Sequence, residues 1–346
     1  MRPDRINHHL STVPAKTIIW FIVVGFLAAC ATQLNSGKSL SIDGQATQPV
    51  LTSLNNTELP TSSVITTVTV TAISLASTTP TQLPLPSLSP TITSTATETP
   101  TSTPDTRPTP KYWREWPVIP TVSAKAEEVF LAGLAQGNNP HSFSRIGDCQ
   151  SLPEVFLGIY DTDRYWLSDR YKDLEFTIDQ FNGAFGQTNQ TVRDGFSVAS
   201  VLSPLLADKQ FCQGGETPLE CEFRLNKPIL IFISLGTNWQ PGAEITFAEH
   251  LRKIVDVSIQ RGVIPVLMTK ADNVEHDNLL NLAIAQVAYD TQMPLVNTWA
   301  AVQYLPNHGL KEDGIYLTTE AWDERSFTAL IALDAIWRDL APLIPH

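Results

Sequence analysis

The residue of this chain that first suggests chemistry is Cys149. It sits in "IGDCQS" (146–151), closing an alternating run, "HSFSRIGD", that reads as a strand. A turn glycine, an acid and a thiol therefore meet where a strand runs out, in the kind of loop that carries function on a rigid scaffold. A thiol there is either a nucleophile or a small residue filling a slot, and the residues alone leave both readings open. The chain has four cysteines in all. Cys212 and Cys221 bracket "QGGETPLE", and in an exported protein a pair so close is expected to form a disulfide, two buried thiols being the alternative. By loop entropy so short a bridge would contribute about 2–3 kcal/mol. No dense Cys/His cluster and no glycine-rich phosphate loop occurs, so neither a metal nor another cofactor is expected.

Export is read from the first 30 residues. Arg2, Arg5 and Lys16 precede "TIIWFIVVGFLAA" (17–29), an uncharged stretch of 13 residues. A spanning helix needs about 20, so this segment has the length of a signal peptide rather than of a lasting anchor. It ends in Leu27-Ala28-Ala29-Cys30, which looks like a bacterial lipobox. A lipidated Cys30 would hold the protein stably on the cell membrane once it carries more than one chain, with the domain extracellular or periplasmic; a chance cysteine after an ordinary signal is the alternative. Residues 31–110 are dominated by Ser, Thr and Pro, with only six charged side chains. Such a stretch lacks the large apolar residues that offset chain entropy and is expected to be a disordered linker.

The elements that must hold Cys149 lie in 111–346, long enough for one α/β domain. Residues 1–110 hold five basic and five acidic side chains, so the net charge of −12 falls entirely on this part. So acidic a domain is a poor ligand for nucleic acid. Beyond "KYWREWPVIP", strand and helix patterns alternate. "FSRIGD" (143–148) reads as a strand, "LEFTIDQFN" (174–182) as a helix and "GFSVASVL" (195–202) as a short helix after a glycine. "PILIFISLG" (228–236) is a continuous apolar run, as in a parallel strand buried on both faces. "EITFAEHLRKIVDVSIQRG" (244–262) gathers Ile245, Phe247, Leu251, Ile254, Val255 and Ile259 largely on one helical face. "VIPVLMT", "DNLLNLAIAQVAYDT", "PLVNTW" and "SFTALIALDAIWRDL" continue as strand, helix, strand and closing helix. The alternation predicts a mainly parallel sheet with helices on both faces, and a site outside the carboxyl ends of its strands.

The polar loops at those ends carry a pattern that resembles the SGNH (GDSL-type) hydrolase family. Its Gly-Asp-Ser block corresponds to Gly147-Asp148-Cys149, and the glycine of its second block to Gly195 in "RDGFSVASVL". Its Gly-x-Asn-Asp corresponds to Gly236-Thr237-Asn238-Trp239, and its Asp-x-x-His to Asp313-Gly314-Ile315-Tyr316. The resemblance implies a flavodoxin-like three-layer α/β/α sandwich and ester hydrolysis by a nucleophile, a histidine base and an orienting aspartate. It also implies an oxyanion hole made of the Cys149 N–H, the Gly195 N–H and the Asn238 side chain. Donors of this kind typically contribute about 10²–10³-fold each.

Three positions depart from the family: Cys149 for Ser, Trp239 for Asp and Tyr316 for His. A thiol can serve as nucleophile, but an unassisted one, with a pKa of about 8.5, is mostly protonated at pH 7. A phenol, with a pKa near 10, is a poor base at that pH, and losing the base costs about 10²–10⁴-fold. Among the histidines His8 and His9 belong to the signal, His346 ends the chain, His141 falls at the opposite end of the first strand and His250 well inside a helix. His276 and His308 fall in loops at the catalytic edge, and His308, five residues before Asp313, is the better substitute base. An exposed structural histidine is its plainer reading. Trp239 is either a stacking platform or a rim tryptophan.

Together these readings describe a membrane-anchored hydrolase-like protein acting on esters without a cofactor, with acylated carbohydrate, lipid or cell-wall polymer as substrate class and an impaired catalytic set. A non-catalytic glycan- or ester-binding module derived from the same fold is the alternative.

Overall fold

The computed structural model describes residues 107–345; the export segment with Cys30 and most of the linker lie outside them. Four strands, β1 (Asn139–Gly147), β2 (Pro228–Ser234), β3 (Ile264–Met268) and β4 (Leu295–Val296), form a parallel sheet in the order β1-β2-β3-β4. Ile146 pairs with Ile233, Ile233 with Leu267, and Leu267 with Leu295, so the register carries one apolar row across the sheet. On the side of β1 away from β2 a single parallel bridge joins Gly147 to Val192. Counted as a one-residue strand, Val192 makes the chain-order sequence second-first-third-fourth-fifth, the flavodoxin-like order.

Helices cover both faces. α1 (Ala124–Ala135), α3 (Pro218–Asn226), α4 (Glu244–Gln260) and α5 (Leu279–Thr291) lie on one, α2 (Leu174–Gln180) and α7 (Thr319–Leu340) on the other. Alternate residues of β1 show the division. Phe143 packs edge-on against Phe181, Phe185 and Phe232, whereas Ser144 bonds Glu222 of α3 at 2.5 Å. β2 is buried from Pro228 to Ile233, as a strand sandwiched between helical layers must be. The segment before α1 covers the outer edge of β4: Asn297 N–H donates to Val118 O, and its side chain donates to Trp113 O and Trp116 O. A covered edge cannot recruit a further strand.

Several elements differ from the sequence reading. Only Ser200–Leu202 of "GFSVASVL" is helical, as a single 3-10 turn. The preceding residues turn instead, because Gly195 is left-handed at φ 76° and Phe196 N–H closes onto Arg193 O. "PLVNTW" is a strand for two residues only; the Asn297 side chain then accepts from Ala300 N–H and starts α6 (Thr298–Val302). Ile245 is 76% exposed rather than core, since two residues before Phe247 is about 200° round the helix. α3 was unread, although Thr217-Pro218 with Glu220 is a capping box with proline at the first helical position. α1 was also unread.

Candidate active site

Gly147 ends β1 and the chain folds straight back over it. A Cβ there would fall 2.0 Å from Ser151 Oγ and 3.0 Å from Ser234 O, so no larger residue fits beneath the turn. Asp148 caps that turn, accepting from Gln150 N–H at 2.9 Å. Cys149 is its first residue and is half-buried, outside any disulfide. At the end of β2, Gly236 adopts φ 132° and presses against the aliphatic stem of Lys270, 3.0 Å from where a Cβ would stand. Thr237, the next residue, meets Gln150 of the Cys149 turn.

Gln150 joins the segments. Its side chain donates to Thr237 Oγ1 at 3.2 Å and accepts from Leu317 N–H at 3.1 Å. One residue following the thiol thus reaches both the residue preceding Asn238 and the residue following Tyr316. Asn238 in turn donates from Nδ2 to Phe196 O at 3.0 Å, next to Gly195. The four blocks read in the sequence meet at the carboxyl edge of the sheet, where parallel strands place a site.

The candidate acid–base residues are arranged differently. Asp313 and Tyr316 lie on a small hairpin between α6 and α7, closed by the antiparallel bridge Leu310–Leu317 and by Lys311 N–H donating to Tyr316 O. Asp313 is exposed and uses Oδ1 for its own turn, accepting from Ile315 N–H at 2.8 Å and Tyr316 N–H at 3.0 Å. His308 is exposed, left-handed at φ 54°, and its Nδ1 meets Gln303 O at 3.2 Å. Among the described residues Asp313 and His308 share no hydrogen bond. His276 is also exposed. Cys212 and Cys221 are bonded to each other. Trp239 is half-buried and packs against the core.

The charges under the site escaped the sequence reading. Arg325 of α7 is 3% exposed and donates to Gln150 O, Ser151 Oγ and Ser234 Oγ at 2.5, 3.2 and 2.9 Å. Burial draws its guanidinium down to about 10, against the opposing pull of Asp148. Its spacing was the available signal: Arg325 lies midway between Ala321 and Ala329 on the buried face of α7. Asp148 is pushed up to about 6, first by burial; its bond from Gln150 N–H and the charge of Arg325 act the other way. Behind them Lys270 Nζ meets Asp272 Oδ1 and Glu275 Oε2, each at 2.6 Å, with all three side chains nearly sealed from solvent. Burial also raises Asp272, partly offset by Lys270. Asp148, Lys270, Asp272 and Arg325 border a cavity of about 20 Å³, room for about one water.

The assembled edge offers a thiol, a nearby amide side chain and backbone N–H groups, over a base of buried, bonded charges that hold the turns.

No family model matches the chain, and no curated protein does. Solved structures that resemble it include a psychrotrophic esterase from Pseudoalteromonas sp., at 13% identity over 57% of this chain and 99% of that one, TM-score 0.40. A GDSL-like lipase from Bacteroides thetaiotaomicron is 15% identical over 63% and 98%, TM-score 0.38. A lipase/acylhydrolase from Enterococcus faecalis is 19% identical over 59% and 97%, TM-score 0.35. With scores below 0.5, these likenesses to esterases and lipases assign no activity here; the α/β class rests on the sheet order and helix layers themselves.

Proposed function

We propose that this chain is an exported, lipid-anchored ester hydrolase of the SGNH type whose catalytic set is degenerate, facing acyl esters of carbohydrate, lipid or cell-wall polymer. The observation that supports it is the bonding of Gln150. Through that one side chain the Cys149 turn, the Thr237-Asn238 loop and the Tyr316-Leu317 hairpin are held at one strand edge. In this reading Cys149 is the nucleophile, and the N–H groups of Cys149 and Gly195 with the Asn238 amide stabilise the oxyanion. Tyr316 stands where a base is needed, which leaves turnover slow. Lipid on Cys30 holds the domain at the membrane, beyond a Ser/Thr/Pro stalk.

The test is turnover of p-nitrophenyl acetate by the wild type, Tyr316→His, and Tyr316→His combined with Cys149→Ser. Wild type should be slow or inactive, and the histidine variants should gain about 10²-fold, the usual contribution of a general base. Brisk wild-type turnover that His308→Ala abolishes would show that the base has moved, and the degenerate reading would fall. If neither variant gains while both remain folded, the hydrolase reading yields to the non-catalytic binding module.

A further inference from the structure

The segment between the Ser200–Leu202 turn and α3 holds large apolar side chains out in solvent. In "PLLADKQFC" (204–212) Leu205 is 91% exposed, Phe211 49% and Leu206 40%. The loop is nevertheless tied down at three points. Arg193 Nη1 donates to Leu206 O at 3.2 Å, Arg224 Nη2 donates to Phe211 O at 2.9 Å, and Cys212 is bonded to Cys221 of α3. The N–H of Leu206 donates to Ser203 O, and that of Phe211 to Asp208 O. At both residues, therefore, the backbone N–H and carbonyl are bonded within the protein while the side chain is turned outward. An apolar medium tolerates backbone only in that condition, and a loop ordered in advance loses little entropy on docking.

We propose that this loop is a membrane-docking surface, with Leu205, Leu206 and Phe211 entering the outer hydrocarbon of a lipid bilayer. Contact of that kind grows with the apolar area it buries. Charge cannot hold it: the domain carries the whole net charge of −12, which anionic headgroups repel, and within the loop Asp208 offsets Lys209. The chain outside the described residues favours a bilayer over a second protein. Residues 31–106 lead back to Cys30, and a lipid there would keep the loop close to one bilayer, where even a weak contact is well populated. That last step rests on the lipid anchor proposed above; the exposed side chains and the bonded backbone do not.

The test takes the chain from residue 30 onward with Cys30→Ala, so that no lipid is attached, and sediments it with sucrose-loaded phosphatidylcholine vesicles. The protein should bind them to within about twofold equally at about 0.1 M and about 1 M NaCl, because insertion is not screened by salt. Leu205→Ser combined with Leu206→Ser should raise the lipid concentration for half binding by about tenfold or more. Trp166→Ser is the control: Trp166 is 82% exposed, next to Tyr165, which bonds Glu175 of α2 in the other helical layer. It should change that concentration by less than about twofold. No sedimentation, release by salt, undiminished binding by the two-serine variant or an equal loss in Trp166→Ser would overturn the proposal. So would a lipid-free dimer, seen by sedimentation velocity, that the two-serine variant abolishes, since the patch would then belong to a second copy. Both leucines are exposed, so the variants should fold, as circular dichroism checks. With neither lipid anchor nor ester in the assay, absent binding leaves both of those readings open, and failure of either leaves the docking result intact.

Discussion

Asp148 shows how the site depends on single ionisations. Its carboxyl sits near 6, against about 4 for an ordinary aspartate, because burial disfavours the anion more than its hydrogen bonds restore it. The folded protein therefore holds this proton at pH values where the unfolded chain has lost it. Relative stability from Asp148 is present in full below about pH 4 and is lost as pH rises through about 6. A separation of about two pH units corresponds to roughly 3 kcal/mol. Asp148→Asn cannot ionise, so the stability of the wild type relative to this variant should fall by an amount of that order between pH 4 and pH 7, as read by urea denaturation. An unchanged difference across that range would mean that the carboxylate is better solvated than its burial indicates. Cys149, one residue on, was visible in the sequence as a thiol at a strand end, but its dependence on a buried acid and a buried arginine was not. Arg325 follows Cys149 by more than 170 positions, and no local pattern joins them.

At the scale of elements, Glu222 holds α3 to the sheet and to the segment that leads towards Gly195. Fully buried, it accepts from Ser144 Oγ, Asn189 Nδ2, Asn226 Nδ2 and Gln190 N–H at 2.5, 2.8, 2.6 and 2.5 Å. Burial raises its pKa, and those four bonds oppose the rise. Glu222→Ala would leave four donors without their acceptor. At about 1–3 kcal/mol per buried unpaired group, with part recovered by relaxation, the loss should be about 3 kcal/mol or more. Amide hydrogen exchange should speed up at Gly147 and Arg193, whose N–H groups bond Thr191 O and Gly147 O where the one-residue strand meets β1. Loss of stability without faster exchange there would separate Glu222 from the placement of this segment. The strands and long helices were legible because their apolar periodicity is local. The 195–202 helix was misread because a left-handed Gly195 redirects the chain into turns, a choice that the apolar pattern does not encode.

For the molecule as a whole, the disulfide and the proposed lipid on Cys30 each carry a prediction. The Cys212–Cys221 bridge spans nine positions and leads into the first turn of α3. Replacing both cysteines by alanine should lower unfolding stability by about 2–3 kcal/mol, mainly through a freer unfolded chain, with little change in circular dichroism. A variant as stable as the oxidised wild type would show that the loop is already constrained without the bond. Cys30→Ala should release the protein from membranes, judged by fractionation after a salt wash, while the domain keeps its melting temperature. Retention of that variant on the membrane would refute the lipid anchor.

By itself the sequence determined the class of the fold, through continuous apolar strands alternating with amphipathic helices, and it located Gly147, Cys149 and Asn238 in the loops that follow strands. These follow from local periodicity and short spacings. The tertiary structure decided that Gln150 joins three loops, that Arg325, Asp148 and Lys270 lie buried beneath them, and that Asp313 closes its own turn. It also placed His250, read as a residue well inside a helix, at the wall of a cavity beside Asn238. Those outcomes depend on which side chains meet across long sequence separations and on what burial does to their charges. Both are properties of the packed chain.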